Sequence, residues 1–382
     1  MRRVAMLLAI VAALALPARA QIGKHIPIRA GTPEDRLLNE INASTDPAKR
    51  LELLQRFIQE FAGSDVVLVG YEMLMAHYWG EKDYEKVFEY GEKALAIDAD
   101  NFMTAVNLFR AAQEKGDAAK LFEWGERIGT ILKRYKARAA PEGTDPAEWE
   151  QKKAATLEEV AENVAYVGLT WFSTAYQMAD PAARAAALER FLAAFPDSPY
   201  AENAQAVAAT SYLQGQNPAK MVDFAQRILA ASPENLTMLL LLADYWSENG
   251  QQLDQADAHA RKALELLNKA QKPARLDDEQ WQRQVALQKG LAHSILGQVH
   301  IHKNRNAQAV ESFRAASLLL KPDAVNYARN LYRLGFTLAK MQRIAEAKTV
   351  LTEAVAIASP YRPLAQETLN KIGGPARPAK RP

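Results

Sequence analysis

Histidines are the first side chains to test for chemistry in this sequence, and three of the six lie near position 300. A metal site on a helix favours ligands at positions i and i+4 with a carboxylate nearby. His293 and His300 are two helical turns apart, whereas His302 points to another face of the same helix. This spacing favours packing in the core. We therefore predict neither a metal nor a cofactor.

Carboxylate pairs are the second candidates, because neighbouring acids can act as acid and base. The pairs Glu158–Glu159 and Asp277–Asp278 fall where helices are expected to start or to face solvent, which favours a structural role. The sequence has no cysteine, no nucleotide-binding loop and no nucleophile elbow. We therefore predict that the protein is not an enzyme.

Aromatic side chains are the third candidates, because a set of them could bind a sugar or an aromatic ligand. Most of them follow the apolar stripe of a predicted helix, which favours the core. The set comprises Tyr71, Tyr78, Trp171, Tyr212, Trp246 and Tyr332. A small-ligand carrier remains an alternative, and a closed aromatic pocket would distinguish it from a protein with an open groove.

The elements that position these side chains can be read between residues 71 and 101. Tyr71, Leu74 and Tyr78 fall at i, i+3 and i+7 and form the apolar stripe of a first helix. Asp83 can cap a second helix, on which Gly91 lies in a face of small residues. That face would let the two helices of the pair approach closely. Neither helix can bury its stripe alone, so stacked pairs would form the core.

This pattern resembles the tetratricopeptide repeat (TPR), a helix–turn–helix unit of 34 residues, and it recurs at six places with compatible spacing. The fullest copy contains Leu331, Leu334, Gly335, Leu338, Ala347, Leu351, Ala354 and Pro360. The resemblance implies an all-α fold, a right-handed TPR α-solenoid of about eight antiparallel helix pairs.

The resemblance also implies a concave groove lined by the first helix of each pair. The groove positions in this sequence hold Glu72, Trp79, Arg110, Asp244, Gln298, Tyr332, Phe336 and Lys340. Exposed apolar and aromatic groups in a groove favour binding of a helix or an extended peptide. The Lys–Asn pair with which some members of the family hold a terminal carboxylate is missing. We therefore predict a protein or peptide partner of another kind.

A tandem duplication organises the chain. The segment that begins at Asp46–Pro47 recurs at Asp180–Pro181, at an offset of 134 residues that persists without gaps. We predict a first block at 36–178, a second block at 179–361 and a capping helix at 362–372. Each block would end in an elongated hairpin, built from helices at 117–139 and 146–178 and from helices at 253–270 and 278–303.

Both ends of the chain are basic, whereas the residues between them are mildly acidic. Residues 1–20 combine two arginines, an apolar run of about 13 residues and Ala18-Arg19-Ala20, which is typical of a secretory signal peptide. That run is too short to span a membrane, and no later stretch is apolar enough. Residues 21–35 are expected to be irregular, and residues 373–382 to form a disordered basic tail. The mildly acidic body argues against nucleic acid as a partner.

A second, shorter resemblance favours the periplasm as the location of the protein. The stretch FLAAFPDSPYAENA at residues 191–204 resembles the exit turns of periplasmic TPR proteins of envelope assembly. The sequence thus predicts an exported adaptor, periplasmic or secreted, that binds a protein surface or peptide without catalysis. One alternative is a structural or assembly factor that self-associates through its projecting hairpins. The other is an accessory protein that binds a small or sugar-like ligand.

Overall fold

The structure is a computed structural model that describes residues 22–274 and 276–373. These residues contain eighteen α-helices and no β-strand. The predicted signal peptide at 1–20 and all but the first residue of the predicted basic tail lie outside the described residues. No helix in the described ranges is long and apolar enough to cross a membrane.

The helices fall into two compact units that divide between Gln216 and Asn217. The first unit contains α1 Pro33–Ala43, α2 Pro47–Glu60, α3 Val67–Glu81, α4 Tyr84–Ile97, α5 Phe102–Lys115, α6 Ala118–Ala137, α7 Pro146–Glu159, α8 Ala161–Tyr176, α9 Pro181–Ala194 and α10 Ala201–Gln214. The second unit contains α11 Pro218–Ala231, α12 Leu236–Asn249, α13 Leu253–Lys269, α14 Asp278–His302, α15 Asn306–Leu320, α16 Ala324–Lys340, α17 Ile344–Ala356 and α18 Arg362–Lys371.

Short polar side chains begin many of these helices, because they satisfy backbone N–H groups that have no partner in the first turn. Asp83 accepts the N–H of Lys86 at 3.2 Å ahead of α4, as predicted, and Asn101 accepts that of Thr104 at 3.0 Å ahead of α5. Lys82 adopts a left-handed conformation and ends α3. The local sequence therefore explains where these pairs turn.

Consecutive helices joined by short turns pack against each other as antiparallel pairs. In the first unit α3 packs on α4, α5 on α6 and α8 on α9. In the second unit α12 packs on α13, α14 on α15 and α16 on α17. The all-α class and the succession of helix pairs are confirmed. The predicted helices at 117–139, 253–270 and 278–303 are also confirmed, to within two residues at each end.

The small-residue face of α4 also meets a helix outside its own pair. A Cβ atom on Gly91 would overlap the side chain of Leu108 on α5. α4 therefore packs closely against the first helix of the next pair as well as against α3. A second helix in such a stack lies between two first helices, and the sequence pattern does not say which of them its narrowest face meets.

The prediction of one long helix at 146–178 is wrong. The chain breaks at Val160 into α7 and α8, and no glycine or proline marks the break. Lys153 on α7 donates its Nζ to the carbonyls of Lys136 and Arg138, both at 3.2 Å, and Trp149 donates Nε1 to the Arg138 carbonyl at 3.0 Å. α7 is thereby held at the carboxyl end of α6, where unpaired carbonyls attract a cation.

Gly125 on α6 lies directly against Trp171 of α8, and this contact can be tested. A Cβ atom there would overlap the ring of Trp171, which is fully buried and donates Nε1 to the Ala187 carbonyl at 3.1 Å. We expect Gly125→Ala to destabilise the protein by about 1–3 kcal/mol through overpacking. Gly80→Ala on α3 is the control, since a Cβ atom at Gly80 meets nothing within 4 Å. The control should be neutral or stabilising by up to about 1 kcal/mol. Equal shifts of the urea midpoint in both variants would contradict this packing.

Candidate functional site

Glu72 on α3 connects two successive first helices. Its Oε1 accepts hydrogen bonds from Asn101 Nδ2 at 2.7 Å and from Thr104 Oγ1 at 3.0 Å, both at the start of α5. Burial raises the pKa of Glu72, and the two donors oppose part of that shift. The carboxylate predicted to line a groove is therefore occupied by the protein's own structure. Trp79, on the same helix, is half-buried.

Arg110 joins α5 to α8. Its Nη2 donates to Asn163 Oδ1 at 2.8 Å, and its guanidinium carbon lies 5.1 Å from the centre of the Tyr166 ring. The hydroxyl of Tyr166 bonds the side-chain oxygen of Gln113, one turn after Arg110. The two first helices thus hold a polar cluster with an aromatic ring at its centre.

Two exposed apolar side chains flank this cluster. Met103 is 38% exposed and its sulfur lies 4.0 Å from Asn163 Nδ2, and Leu169, one turn after Tyr166, is 46% exposed. We call the six residues Met103, Arg110, Gln113, Asn163, Tyr166 and Leu169 the α5–α8 face. It combines apolar surface with an arginine and a tyrosine, which are side chains that often dominate protein interfaces.

Of the six residues of this face, only Arg110 was among the groove residues predicted from the sequence. Asn163, Tyr166 and Leu169 were hidden because the long helix predicted at 146–178 left no separate first helix there. A signal was present, however. Val167, Gly168 and Trp171 are all buried and have the spacing of the large apolar, small and aromatic positions of a first helix.

Asp244, predicted as a groove residue of the second unit, takes part in an ion-pair cluster. Its Oδ2 accepts Arg329 Nη1 at 2.9 Å, which joins α12 to α16. Arg333, one turn further on α16, pairs with Glu248 and donates Nη1 to Ser294 Oγ of α14 at 3.1 Å. The cluster therefore binds three successive first helices together.

Burial makes this cluster costly to break. Arg329 and Arg333 are 9% and 5% exposed, and burial lowers the pKa of the Arg333 guanidinium. The two acids, in contrast, reach the surface. The Asp244 side chain is 32% exposed and the Glu248 side chain is 41% exposed. An unpaired buried guanidinium is strongly unfavourable, so the acids at the rim hold the arginines in place.

The remaining predicted groove residues of the second unit are only partly brought together. The rings of Tyr332 and Phe336 lie 6.3 Å apart, and Phe336 is 44% exposed. Lys340 Nζ donates to Asn304 Oδ1 at 3.4 Å, and Gln298 Nε2 lies 3.4 Å from the His302 ring nitrogen. These contacts are local, and none of them joins Asp244 to the aromatic pair.

The histidines and a cavity are the remaining candidates for binding a metal or a small ligand. Burial lowers the pKa of His293 and of His300, which favours their neutral forms. Within the described ranges no three histidine or acidic side chains are close enough to hold a metal ion. A cavity of about 570 Å³ lies between α4 and α6, lined by Leu95, Trp124 and Glu123 among others. It is open to solvent and thus unlike the closed aromatic pocket expected of a ligand carrier.

Comparison with known proteins gives one family match. A model described as tetratricopeptide repeat matches residues 328–361, which contain most of α16 and all of α17. That is the segment with the fullest copy of the pattern in the sequence. No curated protein sequence matches the chain.

Among solved structures the chain is similar to the Cut9–Hcn1 hetero-tetramer of the APC/C, with 13% identity and a TM-score of 0.41 over 90% of this chain. It spans 57% of the length of that matched chain. Yeast Tom70 gives 13% identity and a TM-score of 0.35, over 95% of this chain and 70% of that one. The TPR domain of P58(IPK) gives 12% identity and a TM-score of 0.26, over 89% of this chain and 88% of that one.

The helix pairs and the matched repeat together define the class. The protein is an all-α repeat protein that contains a tetratricopeptide repeat at residues 328–361. Repeats of this kind stack into extended surfaces that serve as interaction scaffolds.

The ion-pair cluster of the second unit makes a testable prediction. Glu248→Gln removes the counter-ion of Arg333, and we expect it to destabilise the second unit by about 1–3 kcal/mol. Hydrogen exchange of the α12, α14 and α16 amides should report the loss. Glu234→Gln is the control, because Glu234 pairs with Lys262 at 3.2 Å on the surface with 69% of its side chain exposed. We expect that variant to change the free energy of unfolding by less than about 0.5 kcal/mol. Equal exchange rates in the two variants would show that Glu248 has no such role.

Proposed function

We propose that this protein is a non-catalytic adaptor that binds a protein or peptide on the α5–α8 face of its first unit. The observation that carries the proposal is the exposure of Met103 and Leu169 beside the contact between Arg110 and Tyr166. A partner that covers this face would bury apolar surface and meet an arginine and a tyrosine. Stacked helix pairs are well suited to present such a face.

The first helices of the second unit support a different role. The carboxylates of Asp244 and Glu248 already pair with buried arginines, so a ligand there would have to replace charged hydrogen bonds. The α5–α8 face offers apolar surface without breaking an ion pair. We therefore propose the α5–α8 face as the binding site, in place of the whole groove predicted from the sequence.

The α5–α8 face is also preorganised. The Arg110–Asn163 and Gln113–Tyr166 hydrogen bonds hold α5 and α8 together before any partner arrives. The protein itself would therefore lose little conformational entropy on binding, and the cost of ordering falls on the partner. A helix or an extended segment with apolar side chains fits this requirement.

Truncation of the two exposed apolar side chains tests the proposal. Met103→Ala with Leu169→Ala should leave the fold intact and weaken partner binding by at least about tenfold, because two central apolar contacts are lost. A photo-crosslinking residue at position 169 would identify the partner from cell extract, and calorimetry would then measure its affinity for each variant. Leu318→Ala is the control, since Leu318 is 77% exposed on α15 of the second unit.

Other outcomes point to other surfaces. Loss of binding in Tyr332→Ala with Phe336→Ala, but not in the α5–α8 variant, would place the partner on the second unit. Unchanged affinity in both variants would favour the elongated hairpins and an assembly role. Failure to crosslink any protein would favour a small ligand.

We also propose that the protein is exported to the periplasm or secreted. The support is Ala18-Arg19-Ala20 after an apolar run with two arginines ahead of it. The intact mass of the protein from an exported fraction should correspond to a chain that begins at Gln21. Ala20→Leu should block cleavage, because the processing site needs small residues. A cytoplasmic protein that retains residues 1–20 would contradict this location.

A further inference from the structure

Residues 22–31, which we call the strap, run without helix ahead of α1 and are anchored on the turn between α4 and α5. Ile22 is 2% exposed, and its carbonyl accepts the N–H of Phe102 at 3.2 Å. The N–H of Lys24 donates to Asp98 Oδ2 at 2.6 Å. The turn therefore holds this segment through one buried side chain, one backbone hydrogen bond and one hydrogen bond from the backbone to the Asp98 carboxylate.

The turn is built to accept that segment. Asp98 is 4% exposed, and its other oxygen accepts the N–H of Asp100 at 3.1 Å. The carboxylate is thereby fixed with one oxygen towards the strap. A buried carboxylate needs such donors to be tolerated, and the strap supplies one of them.

Glycine is required at the middle position of the anchored tripeptide. Gly23 has a φ of +130°, which side chains disfavour, and a Cβ atom there would lie 2.6 Å from Asp98 Oδ2 and 3.2 Å from Asn101 Cα. The next residue is selected by charge, because Lys24 Nζ lies 3.0 Å from Asp65 Oδ2 in the turn between α2 and α3. The site therefore recognises a tripeptide with an apolar residue, a glycine and a basic residue, in that order.

The strap can leave without unfolding α1. Thr32 caps α1 with its Oγ1 accepting the N–H of Asp35 at 3.3 Å, and Gly31, the last residue of the strap, donates its N–H to Asp35 Oδ2 at 2.8 Å. Gly31 is left-handed with a φ of +81° and would meet nothing within 4 Å if it had a Cβ atom. Between Gly23 and Gly31 the strap residues are exposed or half-buried. Such segments open locally at far lower cost than the helices that they cover.

We propose that the strap is the internal ligand of a peptide site at residues 98–102 and Asp65. When the strap releases this site, it takes an extended apolar–glycine–basic segment of a partner protein. This site is separate from the α5–α8 face and does not depend on the function proposed for that face. Both hydrogen bonds to the tripeptide use backbone groups, so a segment from another chain can make the same contacts.

A peptide supplied in trans tests the site. The probe is a labelled, N-acetylated peptide IGKHIPIRA, which is residues 22–30 of this chain. The full chain with Ile22→Asp and Gly23→Ala should have an emptied site and bind the probe, whereas the wild type should bind it at least about tenfold more weakly because the strap competes. A probe with alanine in place of its glycine should bind the emptied variant at least about tenfold more weakly. Asp65→Asn in that variant should weaken binding roughly twofold to fivefold, as expected for an exposed ion pair.

Two results would overturn the proposal. The first is absence of probe binding to the emptied variant while its circular dichroism is that of the wild type, which would make the strap a structural brace only. If the double variant does not fold, Gly23→Ala alone replaces it in the same titration. The second is hydrogen exchange of the Lys24 amide in the wild type that occurs only with global unfolding, because a strap that never opens cannot yield its site. Exchange of that amide well ahead of the α5 amides is the expected result.

Discussion

Close contact between a glycine on one helix and a large side chain on its neighbour sets the spacing of the helices in both units. Gly125 meets Trp171 in the first unit, and a Cβ atom on Gly297 would lie 2.5 Å from Phe313 in the second. Each such contact joins helices that are near in sequence, so stability accumulates from neighbour to neighbour. Because the first helices are held at fixed spacing, their side chains form continuous faces.

These faces have to hold the stack together and also meet solvent. Glu72 and Asp244 were predicted as ligand-facing residues. Glu72 instead links two successive first helices through hydrogen bonds, and the ion pair of Asp244 joins α12 to α16. A polar group at such a position is satisfied more cheaply by the neighbouring helix than by an unknown partner. The surface that the neighbouring helices leave uncovered includes Met103 and Leu169 in the first unit.

The fold could be predicted further than the site. Apolar spacing and caps such as Asp83 are local signals, so the sequence shows where most helices begin and which stripes they bury. The break at Val160 could not be predicted, because no glycine or proline marks it and the contacts that hold α7, such as Lys153 with the carbonyls of Lys136 and Arg138, are not local signals. Contacts between first helices, such as Arg110 with Asn163, join residues 53 positions apart and depend on that break. Errors in one helix boundary therefore passed directly into the predicted site.

Both units are built from successive helix pairs, yet the arginines on their first helices lie in different surroundings. In the second unit, Arg329 and Arg333 are buried, so their acids must stay near and the first helices are bound by charge. In the first unit, Arg110 is half-buried and lies over Tyr166, so its charge is partly hydrated and needs no carboxylate. A partner that covers Arg110 must offer its guanidinium an acceptor, because an unpaired buried charge is unfavourable. The buried arginines of the second unit already have their acids, and a ligand that took those acids would leave a charge in an apolar interior. The depth at which each arginine lies thus decides whether it braces the first helices through an ion pair or stays partly hydrated at the surface.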